Sequence, residues 1–219
     1  MTQKSAGSAA GFCLLKGEMV VADHYFSNKP NSEHRPQQFT FDLRGRSYIF
    51  ETDAGVFSKS EVDFGSRLLI ETFEWPEVDG PILDAGCGYG PIGLSIAPEQ
   101  LNRTVHMIDV NERALDLARK NAQRNKVENI RIYKSDRLQD VTEEGFGAVL
   151  TNPPIRAGKD VVFDMIQTGF AKLAEGGDLW VVIQKKQGAP SAMKEMERLA
   201  GSCDVAAKSK GYFILRAKK

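Results

Sequence analysis

From Pro81 onward, short apolar runs alternate with longer stretches of helical period, and no other feature of the chain restricts its fold as strongly. The runs are PILDA, TVHMID, IRIYKSD, FGAVLTN, DLWVVIQ, CDVAA and YFILRA. Helical periods fall near residues 90–97, over NERALDLARKNAQRNK, near 160–173 and near 190–200. Strands alternating with helices imply crossover units, and therefore a parallel sheet covered on both faces. The connection from CDVAA to YFILRA is too short for a right-handed helical crossover, so the final strand is expected to run antiparallel. The expected fold is α/β: a doubly wound, mostly parallel seven-stranded sheet.

Ahead of this pattern, FTFDL and SYIFE flank Leu43-Arg44-Gly45-Arg46 and read as a hairpin. Residues 66–75, SRLLIETFEW, place Leu68, Leu69 and Phe73 on one face of a helix. The domain reading is an N-terminal extension with a β-hairpin over residues 1–60 and one main domain over 61–219. A chain of 219 residues is long enough for one well-buried core.

Composition removes several function classes. The three cysteines, Cys13, Cys87 and Cys203, are far apart and show no CxxC spacing, so neither a disulfide framework nor a zinc site is indicated. With His24, His34 and His106 as the only histidines there is no HExxH, and a hydrolytic triad is disfavoured. No apolar run approaches the roughly 20 residues of a membrane span, so no membrane partner and a cytosolic location are expected. Net charge is zero, which speaks against nucleic acid, yet residues 156–219 hold twelve Lys and Arg against seven Asp and Glu. That surplus is either a solvated surface or a basic footprint.

Four motifs carry chemistry, each at the C-terminal end of an expected strand, where ligands of open α/β sheets collect. In Leu83-Asp84-Ala85-Gly86-Cys87-Gly88-Tyr89-Gly90 the glycines permit positive φ and close approach of a ligand to the backbone. The same text satisfies GxGxxG, the dinucleotide fingerprint. Asp84 tips the balance: a carboxylate there would oppose a pyrophosphate but suits the ammonium and sulfonium of S-adenosylmethionine. Its structural alternative is a cap on the following helix. Asp109, closing HMID, is placed to hold both ribose hydroxyls of an adenosine, whereas Asn111 beyond it reads as a helix N-cap. Asp136 after IRIYKS can accept from the adenine amino group, or start a loop.

The fourth motif is Asn152-Pro153-Pro154-Ile155 after GAVLT. Two prolines fix φ and remove backbone donors, leaving carbonyls that only accept. Asn152 and the Pro153 carbonyl can then receive both hydrogens of a planar NH2 group, favouring its pyramidalisation and exposing its lone pair to an electrophilic methyl. The plain alternative is a loop that ends a strand.

These residues, in this order, resemble class I S-adenosylmethionine methyltransferases of Rossmann-like fold, and NPP resembles their amino-methylating branch. More closely, the chain is similar to the small-subunit 16S rRNA guanine-N2 methyltransferase family, the RsmC type, in a single-domain form. The similarity runs through HYFSNKPNSEHRP at 24–36, TDAGVFSKSEVDFGSRLLIE at 52–71, LDAGCGYG at 83–90, NPPIRAGK at 152–159, KKQGAPSA at 185–192 and GYFILRAKK at 211–219. The resemblance implies Asp84, Gly86, Gly88 and Gly90 on the methionine side of S-adenosyl-L-methionine, Asp109 on ribose and Asp136 near adenine. It also puts Asn152, Pro153 and Pro154 on the target amine. Ile155 stands where many NPP enzymes carry an aromatic residue, so stacking on the base falls to Phe57 or is replaced by apolar contact. Arg156, Lys159, Lys185 and Lys186 are expected to form a basic rim for ribosomal RNA or the small ribosomal subunit. No metal is needed for direct displacement at a sulfonium methyl. The rivals are methylation of adenine N6 or a protein glutamine, an NAD-binding oxidoreductase, and an inactive RNA-binding module.

Overall fold

The computed structural model describes residues 36–53 and 61–219. Strands β1 (Gln37–Leu43) and β2 (Arg46–Thr52) form the antiparallel hairpin, with Leu43 paired to Arg46 across a two-residue turn. Arg44 and Gly45 in that turn have φ of 49° and 75°, the mirror-image geometry that matches the twist of paired strands. Arg44 is an unusual residue there, and its contacts explain it. Its Nη1 donates to the carbonyls of Ile70 (2.7 Å) and Phe73 (3.0 Å), and its Nη2 donates to Glu99 Oε2 (2.9 Å).

Helix α1 (Phe64–Thr72) follows, then β3 (Ile82–Ala85), α2 (Pro91–Ile96), β4 (Val105–Asp109) and α3 (Glu112–Asn125). The second half contains β5 (Ile130–Lys134), β6 (Phe146–Thr151), α4 (Lys159–Lys172), β7 (Leu173–Gln184), α5 (Ala189–Ala200), β8 (Asp204–Ser209) and β9 (Tyr212–Lys218). The seven-stranded sheet has the order β5-β4-β3-β6-β7-β9-β8. Pairs from β5 to β7 are parallel, and β9 is antiparallel to both β7 and β8, as the short final connection requires. From β3 the chain moves outward to β4 and β5 and returns to the other side at β6. The C-terminal ends of β3 and β6 therefore border the switch-point crevice of the sheet.

Both faces of the sheet are covered. On β3, Ile82 packs into a cluster shared with the hairpin and α1 to α3, while its neighbour Leu83 packs on the opposite face against residues of α4 and α5. The hairpin is thus part of the main core: Tyr48 and Phe50 are buried in that first cluster. Its β2 edge is closed by two side chains one helical turn apart on α3. Asn125 exchanges hydrogen bonds with the N–H and C=O of Ile49 (2.9 Å each), and Asn121 does the same with Glu51 (2.7 and 3.0 Å).

One helix differs from its expected span. α1 begins at Phe64, two residues before Ser66, because Asp63 caps it by accepting the Ser66 N–H (3.0 Å). It ends at Thr72, since Phe73 has left the helical region (ψ 129°) and the chain runs into Pro76. Phe73 still packs in the core. Among the described residues, no helix is long and apolar enough to cross a membrane.

Candidate active site

Asp84 lies at the C-terminal end of β3 and is fully buried. Its Oδ2 accepts the Gly93 N–H in the first turn of α2 (2.8 Å), while Oδ1 is buried with no partner. One oxygen therefore caps the helix, and the other is left without a protein partner. Burial pushes the carboxyl up to about 7, the nearby Asp109 charge adds to the rise, and the Gly93 hydrogen bond opposes it.

The chain turns over Asp84 through Gly86, Gly88 and Gly90, with φ of 79°, 57° and 97°. These glycines face different surroundings. A Cβ on Gly88 would meet nothing within 4 Å, so that stretch of backbone borders open space. At Gly90 a Cβ would come within 2.9 Å of Leu94 Cδ1 and Met107 Cε, so that glycine is required by the packing of α2 on β4. The intervening Cys87 is buried, and burial raises its thiol well above the usual range, holding it protonated.

Asp109 ends β4 beneath the same turn. Its Oδ2 accepts the Gly88 N–H (2.9 Å) and its Oδ1 accepts the Asn111 N–H (2.8 Å). Enclosure raises its pKa in spite of these bonds. Asn111 caps α3 by accepting from the N–H groups of Arg113 (3.0 Å) and Ala114 (3.4 Å).

Asn152 follows the last residue of β6, and Thr151 ties that strand end to β3 by donating to the Ala85 carbonyl (2.8 Å). The Asn152 amide is held by a partner that the sequence reading did not include. Its Nδ2 donates to Asp63 Oδ1 (3.2 Å) and to Ser66 Oγ (3.0 Å), both at the start of α1. An ionised carboxylate can only accept, so the NH2 side of the amide must face Asp63 and the carbonyl oxygen must face away. Among the described residues nothing donates to that oxygen. Asp63 before an apolar helical run carries the signal of an N-cap, but nothing local points to a residue 89 positions on.

A family model described as the methyltransferase small domain matches residues 47–216. The chain belongs to that family. Its fold is the Rossmann-like one of class I S-adenosylmethionine methyltransferases. A Bacillus subtilis protein named YbxB is 53% identical over 200 residues, covering 91% of this chain and all of that one. The ribosomal RNA small subunit methyltransferase C of Vibrio cholerae is 30% identical over 187 residues, 84% of this chain and 53% of its own length. Among solved structures, the T. thermophilus 16S rRNA N2 methyltransferase RsmC, bound to AdoMet and guanosine, superposes with a TM-score of 0.75 at 26% identity. That match covers 84% of this chain and 50% of the other. The chain thus spans about half the length of the named rRNA methyltransferases it matches.

The remaining expected site residues of this methyltransferase range from buried to fully exposed. Asp136 is exposed and paired with Arg137 (3.1 Å). Pro153 is buried and Pro154 half-buried, and Ile155 packs against the α4–α5 side of the core. Arg156 is exposed, and the Lys159 ammonium sits 4.8 Å from the centre of the Phe163 ring. Lys185 and Lys186, just past β7, line an open groove of about 470 Å³ with Gln184, Pro190, Lys210 and Gly211. Phe57 lies outside the described residues.

Proposed function

We propose that this methyltransferase transfers the methyl group of S-adenosylmethionine to an exocyclic amino nitrogen, the N2 of a guanine in 16S ribosomal RNA. The observation that carries the reading is the forced orientation of Asn152. With its NH2 side engaged by Asp63 and Ser66, its Oδ1 is left as an acceptor at the end of β6, one peptide from the Pro153 carbonyl. Two acceptors so close suit the two hydrogens of an amino group and leave its lone pair outside their plane. Alignment of the nitrogen supplies most of the catalysis in this scheme. The guanine acceptor is supported by the guanosine in the RsmC relative, and the ribosomal substrate by the names of both rRNA methyltransferase relatives.

The methyl donor supplies an electrophilic carbon on a sulfonium, and the residues present fit it. A buried carboxylate oxygen without a partner, Asp84 Oδ1, awaits a cation, and the open backbone at Gly88 leaves room for one. In this reading Gly86 and Gly90 shape the turn, Asp109 holds ribose and Asp136 approaches adenine. Ile155 gives the base an apolar contact, with Phe57 as a further candidate. Arg156, Lys159, Lys185 and Lys186 meet the RNA backbone, and a base buried in RNA structure must be unstacked to enter.

The decisive experiment is mass spectrometry of 16S rRNA nucleosides from cells with and without the gene. Loss of N2-methylguanosine is expected. A loss of N6-methyladenosine instead, or unchanged RNA beside an unmethylated protein glutamine, would assign the acceptor elsewhere.

The state of Asp84 adds a pH dependence. Its folded pKa of about 7 lies above the ordinary 3.8, so the cofactor-free protein holds a proton that the unfolded chain has released. Its contribution to stability therefore falls as pH rises from about 4 toward 7. A cationic ligand needs the ionised form, so affinity for S-adenosylmethionine should drop below pH 7, approaching about tenfold per pH unit. Titrations at pH 6 and 7 check this. Equal affinities, or the same slope in Asp84→Asn, would sever Asp84 from the cofactor.

A further inference from the structure

The β8–β9 hairpin closes on Lys210-Gly211, with Ser209 paired to Tyr212 and φ of 47° and 79° at the two turn residues. This is the same mirror-image turn as Arg44-Gly45, and it favours Asn before Gly. A lysine at positive φ is strained, and such strain persists where something else requires the side chain. Arg44 repays its strain in contacts to two carbonyls and Glu99, but Lys210 has no carboxylate partner among the described residues. Its ammonium sits 4.8 Å from the centre of the Phe64 ring instead.

Phe64 is the residue next to Asp63, which holds Asn152, so this contact adjoins the candidate active site. The Phe64 ring lies 5.6 Å from that of Tyr212 and also carries the Arg67 guanidinium at 5.2 Å. The pair packs tightly because Gly65 leaves room: a Cβ there would come within 2.9 Å of Tyr212 Cε1. On the other side of the turn, the Gly211 carbonyl accepts the Lys185 N–H (2.8 Å), and Lys210 lines the groove with Lys185 and Lys186.

Four cations therefore gather beside the site, and none of Arg67, Lys185, Lys186 and Lys210 meets a carboxylate among the described residues. Many arginines elsewhere are neutralised, as in the pairs Arg124–Glu51, Arg137–Asp164, Arg198–Glu195 and Arg216–Asp178. Aromatic rings position Arg67 and Lys210 without cancelling their charge.

We propose that Lys210 and Arg67, with Lys185 and Lys186, form a phosphate-contacting track for the single-stranded RNA that flanks the target base. The proposal rests on the RNA-methyltransferase reading, and it places strand contacts on the β8–β9 turn and the start of α1. Charge complementarity selects a polyanion, and the nearness of Asn152 selects the strand that carries the acceptor.

Lys210→Asn tests it, because asparagine suits the turn and the folded state should be as stable as before or more so. The probe is a fluorescein-labelled single-stranded RNA oligonucleotide, titrated across salt concentrations. In the variant, affinity should fall several-fold and the log–log salt slope should shrink by about 0.7, the share of one phosphate contact to single-stranded nucleic acid. S-adenosylhomocysteine affinity and the thermal midpoint should hold. An unchanged slope in the folded variant, or a wild type that does not bind RNA, overturns the track. Methyl transfer by the wild type separates the two readings. RNA methylation with an unchanged slope sinks the track alone, and a reduced slope without RNA methylation sinks the enzymatic reading alone.

Discussion

Replacing Asn152 with alanine is expected to lower methyl-transfer turnover by about two to three orders of magnitude, the range seen when one preorganised polar group is lost from an active site. The side chain deleted is the one whose amide is locked by Asp63 and Ser66, leaving Oδ1 as the acceptor proposed for the target amine. That interaction strengthens as the nitrogen pyramidalises, so its loss falls on the transition state more than on the ground state. Cofactor affinity should change far less, because Asp84 and Asp109 remain. Single-turnover transfer from labelled S-adenosylmethionine to undermodified small-subunit RNA, beside a cofactor titration, measures both. A folded variant with near-normal transfer would remove the NPP loop from the chemistry. Asp63→Asn is the companion: asparagine caps α1 as well as aspartate does, but no longer dictates which way Asn152 faces. A smaller fall in turnover at unchanged stability should follow.

The second large effect belongs to Asp109. Two hydrogen bonds from ribose to a charged carboxylate are each worth roughly 1.5 to 3 kcal/mol, so Asp109→Ala should weaken S-adenosylmethionine binding on the order of a hundredfold or more. The structure adds a reason beyond the proposed contact with ribose. Asp109 also accepts the N–H groups of Gly88 and Asn111, so its removal slackens the glycine turn itself. Calorimetric titration of the folded variant decides, and an unchanged affinity would strike Asp109 from the site.

Much of the fold was legible because each element announces itself locally. β3 and β6 are buried along their whole length and read as short apolar runs, broken in β3 only by Asp84, while α3 shows a helical period and starts on an Asn cap. The direction of β9 followed from a connection of only a few residues, too short for a crossover, which the structure closes as a two-residue turn. The hairpin was visible as well, but its docking was not. That depends on Asn121 and Asn125, ordinary polar residues in a helix, meeting a strand some 70 positions away. The candidate site divides in the same way. Glycines and carboxylates at strand ends stand out in the text, whereas Asp63 and Lys210 gain their meaning from neighbours that only the folded sheet supplies. Asp84 shows a further limit: the sequence offers helix cap and ligand-facing group as alternatives, whereas the fold uses one oxygen as the cap and leaves the other unpartnered, so the first role does not exclude the second.

Asn121 reaches further than the hairpin. Besides Glu51, its amide donates to the carbonyl of Tyr89, inside the glycine turn (3.0 Å). One side chain thus fastens the edge of β2 and the loop proposed to receive the cofactor, and whatever stills one should still the other. Amide hydrogen exchange makes this visible, because the Glu51 N–H is tied to Asn121 Oδ1 and exchanges only when that tie opens. Saturation with S-adenosylhomocysteine should slow exchange at Glu51, outside the pocket itself, and Asn121→Ala should abolish the response. If Glu51 exchanges at one rate with and without ligand, the hairpin is only a lid on the core, deaf to the site beneath it.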